Sequence, residues 1–259
     1  MTTQTNAPHR GRLFLVPAPL DFGCVPLTPL EHVIPADTLQ VAAQLEHWVC
    51  ENAKTLRAYL KRVGELQPLS HQLQTLQIQE LPHEVHKKGD HSGHFDARPL
   101  LAPALQGHDM GLVSEAGMPA VADPGSSVVR AAHDLGIAVR PLVGPVSLLL
   151  ALAASGLNGQ NFAFVGYLPQ EPTLRASRIR ELESLALRTG QTQLFIETPY
   201  RNVALFQALL QTLQQNTRLA IGSGLTLASA ATCSQSVKQW RQHRTGPDNQ
   251  TPAVFAIGR

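Results

Sequence analysis

Two side chains able to do chemistry, Glu197 and Arg201, follow the short apolar stretch QLFI (193–196), which is typical of a buried strand. Polar residues at the end of a strand are candidate site residues, because α/β proteins bind ligands at the carboxyl ends of their strands. A carboxylate and a guanidinium four positions apart have a second interpretation, in which they pair with each other or cap the following helix. The pattern leaves both interpretations open.

A second group of chemically capable residues lies in the segment PHEVHKKGDHSGHFD, which contains His83, His86, His91 and His94. Imidazole is a common zinc ligand, but the segment lacks a ligand spacing such as HExxH and is hydrophilic and rich in glycine. We therefore expect a solvated loop and no metal site.

The stretch Asp109 to Gly125, DMGLVSEAGMPAVADPG, runs from a short apolar strand into a turn rich in glycine and proline. Small residues beyond the end of a strand let a ligand approach the backbone closely. The stretch therefore indicates a ligand-binding loop, with a tight connection that binds nothing as the alternative.

The elements that position these residues alternate between strands and helices. Strands are predicted at 12–16, 47–50, 73–81, 110–113, 137–143, 161–165, 193–196 and 218–222, and in the last segment AVFAIG. Helices are predicted at 39–46, 52–63, 126–135, 146–154, 173–188 and 202–214, and the uncharged run 146–154 is expected to be buried. This alternation predicts an α/β fold.

Length and composition limit the class of protein. A chain of 259 residues that is 43% hydrophobic can form one large domain or two smaller ones, and we expect two. No apolar run is long enough to cross a bilayer and the N-terminal segment lacks the hydrophobic core of a secretory signal, so a soluble, cytoplasmic protein is expected. Cys24, Cys50 and Cys233 have no paired spacing and are expected to be inert thiols.

Charge is distributed unevenly along the chain. Residues 1–135 contain 10 Lys and Arg against 14 Asp and Glu, whereas residues 136–259 contain 11 against 5. The basic second half is suited to a polyanionic partner, although a basic surface with no such partner has the same composition.

Common nucleotide and hydrolase motifs are absent from the sequence. No GxGxxG follows the first strand, and neither GxxxxGK[ST] nor GxSxG occurs. The residue pattern by itself indicates an α/β ligand-binding protein and leaves its chemistry open.

Four segments taken in order, LVSEAGMPAVADPG, PLVGPVSLLLALAASGL, FAFVGYLP and FIETPYR, resemble successive signatures of the tetrapyrrole methylase family, the class III S-adenosylmethionine-dependent methyltransferases. They are most similar to its branch of ribosomal RNA ribose 2'-O-methyltransferases, whose loop reads S-D-A-G-T-P and whose later motif reads E-S-T-H-R. The resemblance covers most of Leu13 to Gln211. It implies two α/β domains, expected here at 1–118 and 119–259, with S-adenosylmethionine in the cleft between them and usually a homodimer.

The resemblance also implies a set of site residues. S-adenosylmethionine would contact Pro19, Ser114, Glu115, Ala116, Gly117, Pro119, Gly144, Pro145, Val146, Ser147, Pro252 and Ala253. For a ribose acceptor, Glu197 would act as base or as the group that orients the hydroxyl, and Arg201 or Arg175 would contact phosphate.

Departures from the family pattern leave the substrate open. Glu115 replaces Asp, Met118 replaces Thr, and the first loop reads PAPLDFG where the RNA-modifying branch has P-T-P-I-G-N. The A-A-E-D-T-R-like segment has become WVCENAKTLR, which keeps Glu51 and Arg57. RNA is the expected acceptor. The alternatives are a tetrapyrrole-like or other small metabolite, and a non-catalytic homologue that binds donor or RNA.

Overall fold

A computed structural model describes residues 9–21, 23–88, 90, 95–242 and 245–259, and of residues 86–88 only the backbone. The described chain divides into two compact units. The first contains the residues up to Asp21 together with Thr28–Pro145, and the second contains Gly23–Leu27 and Val146–Arg259. The division falls after Pro145 and not between residues 118 and 119, where the sequence placed it.

The first unit is built on a parallel sheet with the strand order β3-β2-β4-β1-β5. The strands are β1 (Arg12–Leu15), β2 (His47–Cys50), β3 (Gln77–Glu80), β4 (Met110–Val113) and β5 (Ala138–Pro141). The helices are α1 (Ala36–Gln44), α2 (Ala53–Leu66), α3 (His83–Lys88), α4 (Ala102–Leu105) and α5 (Ser126–Asp134). Because β5 pairs with β1 in parallel register, the chain through β5 belongs to this unit, and this pairing moves the boundary.

The second unit is built on a mixed sheet with the strand order β6-β7-β10-β8-β9, in which only β6 and β7 are parallel. The strands are β6 (Phe162–Tyr167), β7 (Thr192–Ile196), β8 (Arg218–Ser223), β9 (Ala231–Ser236) and β10 (Ala253–Gly258). The helices are α6 (Ser147–Ser155), α7 (Pro172–Thr189), α8 (Asn202–Thr212) and α9 (Val237–Trp240). Strand β10 is buried along its whole length, as its uninterrupted apolar sequence predicts.

Hydrophobic side chains pack on both faces of each sheet. In the first unit, Trp48 and Leu60 belong to one cluster, and Leu112 and Val128 belong to the cluster on α5. A Cβ atom at Gly111 would lie 2.5 Å from the Trp48 ring, so the neighbouring strand needs glycine there. The packing of Trp48 thus depends on Gly111, which the sequence pattern alone indicates only as an interruption of the apolar strand.

Helix α6 differs from its prediction as a buried helix. Leu148 and Leu152 are buried against the second sheet, but Leu149 is 50% exposed and Leu150 is 40% exposed. A helix that lies on one face of a sheet buries only the stripe that faces the sheet, and the apolar sequence of α6 continues around the helix. The uncharged run therefore leaves an apolar face uncovered.

Most predicted elements are present, and the α/β fold is confirmed. The expected strand over 73–81 shortens to β3, whose edge position leaves it only partly buried. The long helix α7 begins at Pro172, one residue before its predicted start, and is capped by Glu171, which accepts from the backbone N–H groups of Thr173 and Leu174. Among the described residues, no helix is both long and apolar enough to cross a membrane.

Candidate active site

The carboxyl edge of the first sheet has the geometry of an α/β ligand site. Strands β1 and β4 are neighbours, and the connections that leave them run to opposite sides of the sheet, from β1 to β2 and from β4 to β5. Neighbouring strands whose connections diverge open a crevice at their carboxyl ends. The loops after β1 and β4 are those in which the sequence placed donor-binding residues.

Gly117 fixes the loop after β4 to the loop after β1. Its N–H donates to the Ala18 carbonyl at 3.0 Å, and its carbonyl accepts from the Ala18 N–H at 2.9 Å. The backbone of Gly117 has φ +74°, and a Cβ atom there would lie 3.2 Å from a methyl carbon of Leu20. Glycine is needed at this position both for conformation and for space.

Gly144 brings the loop after β5 to the same edge. A Cβ atom at Gly144 would lie 2.2 Å from the Pro17 ring, so the two loops are in direct contact. Pro19, Pro119 and Pro145 are buried. The structure therefore gathers the predicted donor residues of the first unit, from Pro19 through Ser114–Pro119 to Gly144 and Pro145, on three adjoining loops.

Asp90 anchors the far end of the β4 loop, a role that the sequence did not reveal. This carboxylate is 4% exposed and accepts from the N–H groups of Gly125 and Ser127 and from the hydroxyl groups of Ser126 and Ser127, at 2.6–2.9 Å. Burial raises the pKa of Asp90, but the hydrogen bonds from the two serines and from the backbone outweigh burial and hold the pKa below its ordinary value. Asp90 thereby caps α5 from a distant segment.

Three carboxylates, those of Glu51, Glu115 and Asp123, form an acidic cluster beside the β4 loop. The Glu115 N–H donates to Glu51 Oε1 at 3.2 Å. Burial, and then the charges of Glu51 and Glu115, raise the pKa of Asp123 to about 7. The cluster is negatively charged, and the buried Ser114 hydroxyl beside it has no hydrogen-bond partner among the described residues.

The backbone next to Asp123 is strained. Ala120 has φ 64° and Ala122 has φ 66°, a region that residues with a side chain rarely adopt. Non-glycine residues in this region cost roughly 1–3 kcal/mol each and cluster at functional sites. The strain supports a functional role for the segment between Gly117 and Gly125.

The unusual first loop has a structural explanation. Asp21 of the sequence PAPLDFG is 2% exposed, and its two carboxylate oxygens accept from the Arg62 guanidinium on α2 at 3.2 and 3.0 Å. The Thr28 N–H also donates to Asp21. The departure from the family pattern therefore introduces a buried ion pair that ties the loop to α2. In WVCENAKTLR, Asn52 replaces an acidic residue and caps the same helix.

Glu197 and Arg201 form an ion pair in the second unit. Glu197 Oε1 accepts from Arg201 Nη2 at 2.7 Å and from the N–H and hydroxyl of Thr198 at 2.8 and 3.2 Å. Glu197 is 8% exposed, and no hydrogen bond from a described residue reaches its Oε2. Arg201 Nε is buried and has no acceptor among the described residues. The predicted pairing is present, and each partner keeps an unused polar atom.

The remaining predicted residues of the second unit lie at the same end of its sheet. Ile196 pairs with Val254, which places Glu197 next to the start of β10 at Pro252 and Ala253. Val146, which precedes Ser147 at the start of α6, packs against the cluster that contains Ile196 and Val254. The structure thus brings the predicted residues together in two groups, one in each unit.

Other candidate residues are not brought to these groups. Arg175, expected to contact phosphate, donates instead to the carbonyl groups of Pro169 and Gln170 at the start of α7.

His91 and His94, and the side chain of His86, lie outside the described residues. No cluster of metal-ligand side chains occurs in the part of the chain that the structure describes. Burial raises the pKa of Cys50 to about 12, as expected of an inert thiol.

Comparison with known proteins identifies the class. Residues 33–239 match the model of the tetrapyrrole (corrin/porphyrin) methylases, and the chain belongs to this family of methyltransferases. It is 32% identical over 231 residues to the ribosomal RNA small subunit methyltransferase I of Mesorhizobium japonicum, covering 87% of this chain and 68% of that protein. It is 36% identical to the protein of the same name from Micromonospora olivasterospora, over 60% of this chain and 50% of that one.

A solved structure supports the fold. The uroporphyrin-III-C-methyltransferase of Thermus thermophilus aligns with a TM-score of 0.52 at 19% sequence identity, over 96% of this chain and 94% of that one. At this identity the comparison concerns the architecture alone. The resemblance found in the motifs is therefore confirmed at the level of family and fold.

Proposed function

We propose that the protein transfers a methyl group from S-adenosylmethionine to a ribose hydroxyl of small-subunit ribosomal RNA. The observation that carries the proposal is the meeting of the loops after β1, β4 and β5, held by Gly117 and Gly144, at the carboxyl edge of the first sheet. The relatives named as small-subunit ribosomal RNA methyltransferases support the choice of acceptor.

The residues of the first unit fit the methyl donor. Gly117 and Gly144 let the loops after β1, β4 and β5 pack closely together, because a Cβ atom at either position would press on Leu20 or on Pro17. The acidic cluster of Glu51, Glu115 and Asp123 complements a ligand that carries positive charges on its sulfonium and ammonium groups. Ser114 Oγ can satisfy its hydrogen bond with the same ligand. Pro19, Ala116, Pro119 and Pro145 would line the site.

The resemblance also assigns donor contacts to residues of the second unit. By resemblance, Val146 and Ser147 at the start of α6 and Pro252 and Ala253 at the start of β10 would bind the adenosine part of the donor. When bound, the donor supplies an already activated methyl group, so the main task of the chain is to hold the acceptor hydroxyl in line for attack.

Glu197 is suited to that task. Its Oε1 is fixed by Arg201 and Thr198, which leaves Oε2 to accept a hydrogen bond from the ribose hydroxyl. With Oε1 fixed in this way, we assign Glu197 to orientation of the ribose hydroxyl and to acceptance of its proton as the methyl group is transferred. Arg201, whose side chain is 26% exposed, would contact a phosphate oxygen of the substrate.

Charge favours RNA over a neutral metabolite. Residues 146–259 contain 10 Lys and Arg against 5 Asp and Glu. The five acidic side chains are occupied in caps, ion pairs or buried hydrogen bonds of the second unit. Residues 146–259 thus carry an excess of five positive charges, which suits a polyanionic RNA partner.

The decisive experiment measures methyl transfer from labelled S-adenosylmethionine to small-subunit ribosomal RNA and to assembled small subunits, with mass spectrometry of the digested nucleosides. A 2'-O-methylated nucleoside that requires the protein and disappears after prior ribonuclease treatment is expected. An unchanged ribose-methylation profile in a deletion strain, together with no transfer in vitro, would overturn the RNA acceptor. Transfer to a metabolite pool free of RNA would support the small-molecule alternative.

Two further properties belong to the proposal. We expect a homodimer, because family resemblance implies one and because Leu149 and Leu150 leave an apolar face of α6 exposed. Light scattering on the purified protein tests it, and a monomer at micromolar concentration would contradict it. Since the proposed substrate is ribosomal, we place the protein in the cytoplasm, which fractionation of cells would check.

A further inference from the structure

Helix α7 presents two arginines that nothing in the described structure neutralises. Arg178 on the same helix pairs with Glu181 at 2.7 Å, and Arg175 is occupied by backbone carbonyl groups. Arg180 and Arg188, in contrast, are exposed and donate to no acceptor among the described residues. These two cations are the part of the helix that is free to bind an external anion.

Arg180 and Arg188 lie on one side of the helix. Residues at positions i, i+4 and i+8 share a face, and Ser184 occupies the position between the two arginines. Eight residues of helix span about 12 Å, too far for both guanidinium groups to hold one phosphate. The spacing fits a ligand that carries several anionic groups along its length.

The same side chains border an open groove of the second unit. The groove has a volume of about 560 Å³ and lies between α7 and the segment that follows α8. It is lined by Arg180, Glu183, Ser184, Leu187, Arg188, Thr212 and Gln214. Hydroxyl and amide groups beside arginines are the side chains that proteins use to contact phosphate and sugar.

Glu183 is the one carboxylate among the residues that line the groove. It is 4% exposed, and its Oε1 accepts from the Gln214 N–H at 2.8 Å and from the Thr217 hydroxyl at 2.5 Å. These bonds hold the segment after α8 against α7 and set the position of one wall. The buried carboxylate is thus engaged in the protein, whereas both arginines face solvent.

We propose that this groove, the α7 groove, binds the phosphate backbone of the RNA substrate at a distance from the methyl-transfer residues. The inference rests on the proposed function and adds to it a second contact surface, with Arg180 and Arg188 as its cations. The two arginines favour an anionic partner, and a small anion would not need two arginines two turns apart.

The test is RNA binding by the full-length protein at several salt concentrations, with a transcript of small-subunit ribosomal RNA as the probe. Each phosphate contact with single-stranded RNA contributes about 0.7 to the slope of log K against log salt. Arg180→Gln and Arg188→Gln should each lower that slope by about this amount and weaken binding about fivefold at 0.1 M salt. Arg180→Lys and Arg188→Lys should restore most of the slope, because the charge remains.

Arg178→Gln is the matched control, since it removes the same charge from the same helix at a residue that is already paired. Calorimetry with S-adenosylmethionine should give wild-type affinity for all variants. Wild-type slopes in both glutamine variants, or an equal loss in Arg178→Gln, would overturn the α7 groove while leaving the proposed function intact. Failure of the wild-type protein to methylate or bind RNA would instead overturn the proposed function and the groove with it.

Discussion

Gly117 and Ala18 exchange two backbone hydrogen bonds, 3.0 and 2.9 Å long, that join the loops leaving the two neighbouring strands β4 and β1. The pair forms because parallel strands end at the same edge of a sheet, and because only glycine combines φ +74° with the space left by Leu20. The relationship ties the shape of the proposed donor site to a single residue.

Replacement of Gly117 by valine should abolish donor binding. A β-branched side chain at positive φ is strongly disfavoured, and its Cβ would press on Leu20. Calorimetry with S-adenosylmethionine and S-adenosylhomocysteine should show no binding, while circular dichroism retains the folded signal. Gly159→Val is the control, since a Cβ atom there meets nothing within 4 Å. Wild-type affinity in a folded Gly117→Val protein would show that the loop does not form the site.

Asp90→Asn should destabilise the first unit by about 1–3 kcal/mol, because an amide cannot replace a carboxylate that accepts four hydrogen bonds. The folded pKa of Asp90 is depressed, so its stabilisation is present above the ordinary pKa and is lost as pH falls through the folded value. Urea unfolding at pH 7 and pH 3 should show a difference between wild type and variant that shrinks in acid. An equal difference at both pH values would contradict this assignment.

Asp123 should make stability fall as pH rises. Its folded pKa of about 7 lies above the ordinary value, so the stability of the uncharged form is complete in acid and is lost as pH rises through 7. Asp123→Asn should therefore unfold at higher urea concentration than wild type at pH 8, and the advantage should be smaller at pH 5. No change in the difference between these pH values would argue against the shifted pKa.

The same titration should affect the choice of ligand. As Asp123 ionises, the acidic cluster with Glu51 and Glu115 becomes more negative and should favour the cationic S-adenosylmethionine over S-adenosylhomocysteine, which lacks the sulfonium charge. The ratio of the two affinities should rise between pH 6 and pH 8 in the wild type and stay flat in Asp123→Asn. A flat wild-type ratio would place the cluster away from the sulfonium.

Glu197→Gln should slow methyl transfer at least about tenfold while donor affinity is unchanged, because the amide keeps the shape of the side chain but loses its charge. It should also cost about 1–3 kcal/mol of stability by leaving the partly exposed Arg201 without its ion-pair partner. Single-turnover assays and urea unfolding separate the two effects. A variant with the expected loss of stability and full transfer rate would restrict Glu197 to a structural role.

Local pattern was sufficient for most of the fold. Burial restricts the residue types of a strand, so the short apolar runs predict β1, β2, β4 and β7. Positive φ favours glycine, so the glycine after α6 predicts the end of that helix. The domain boundary was not visible, since β5 belongs to the first sheet by pairing with a strand more than a hundred residues earlier. The hydrophobic periodicity of a chain predicts where its strands lie but not which strands pair with each other.

The sequence predicted only part of the candidate site. The strand-end residues Ser114–Pro119 and Glu197 stand out as polar or small residues after apolar strands. Asp90 did not, because its partners at Gly125–Ser127 are far away in sequence, and the surrounding histidines suggest a solvated segment. Arg180 and Arg188 look like any charged helical face until the contacts of Arg175 and Arg178 show which cations remain free.

Strand β1 lies between β4 and β5, so its two partners are made much later in the chain. Leu13 pairs with Met110 on one side and with Val139 on the other. During synthesis, β1 therefore gains its first sheet partner only after residues 110–113 have been made, and its second only after residues 138–141. Such non-local pairing slows folding, because the chain loses conformational entropy in closing a long loop before the contacts between the strands stabilise it. The segment that carries the first loop of the proposed site is thus made well before the strands that hold it in the sheet.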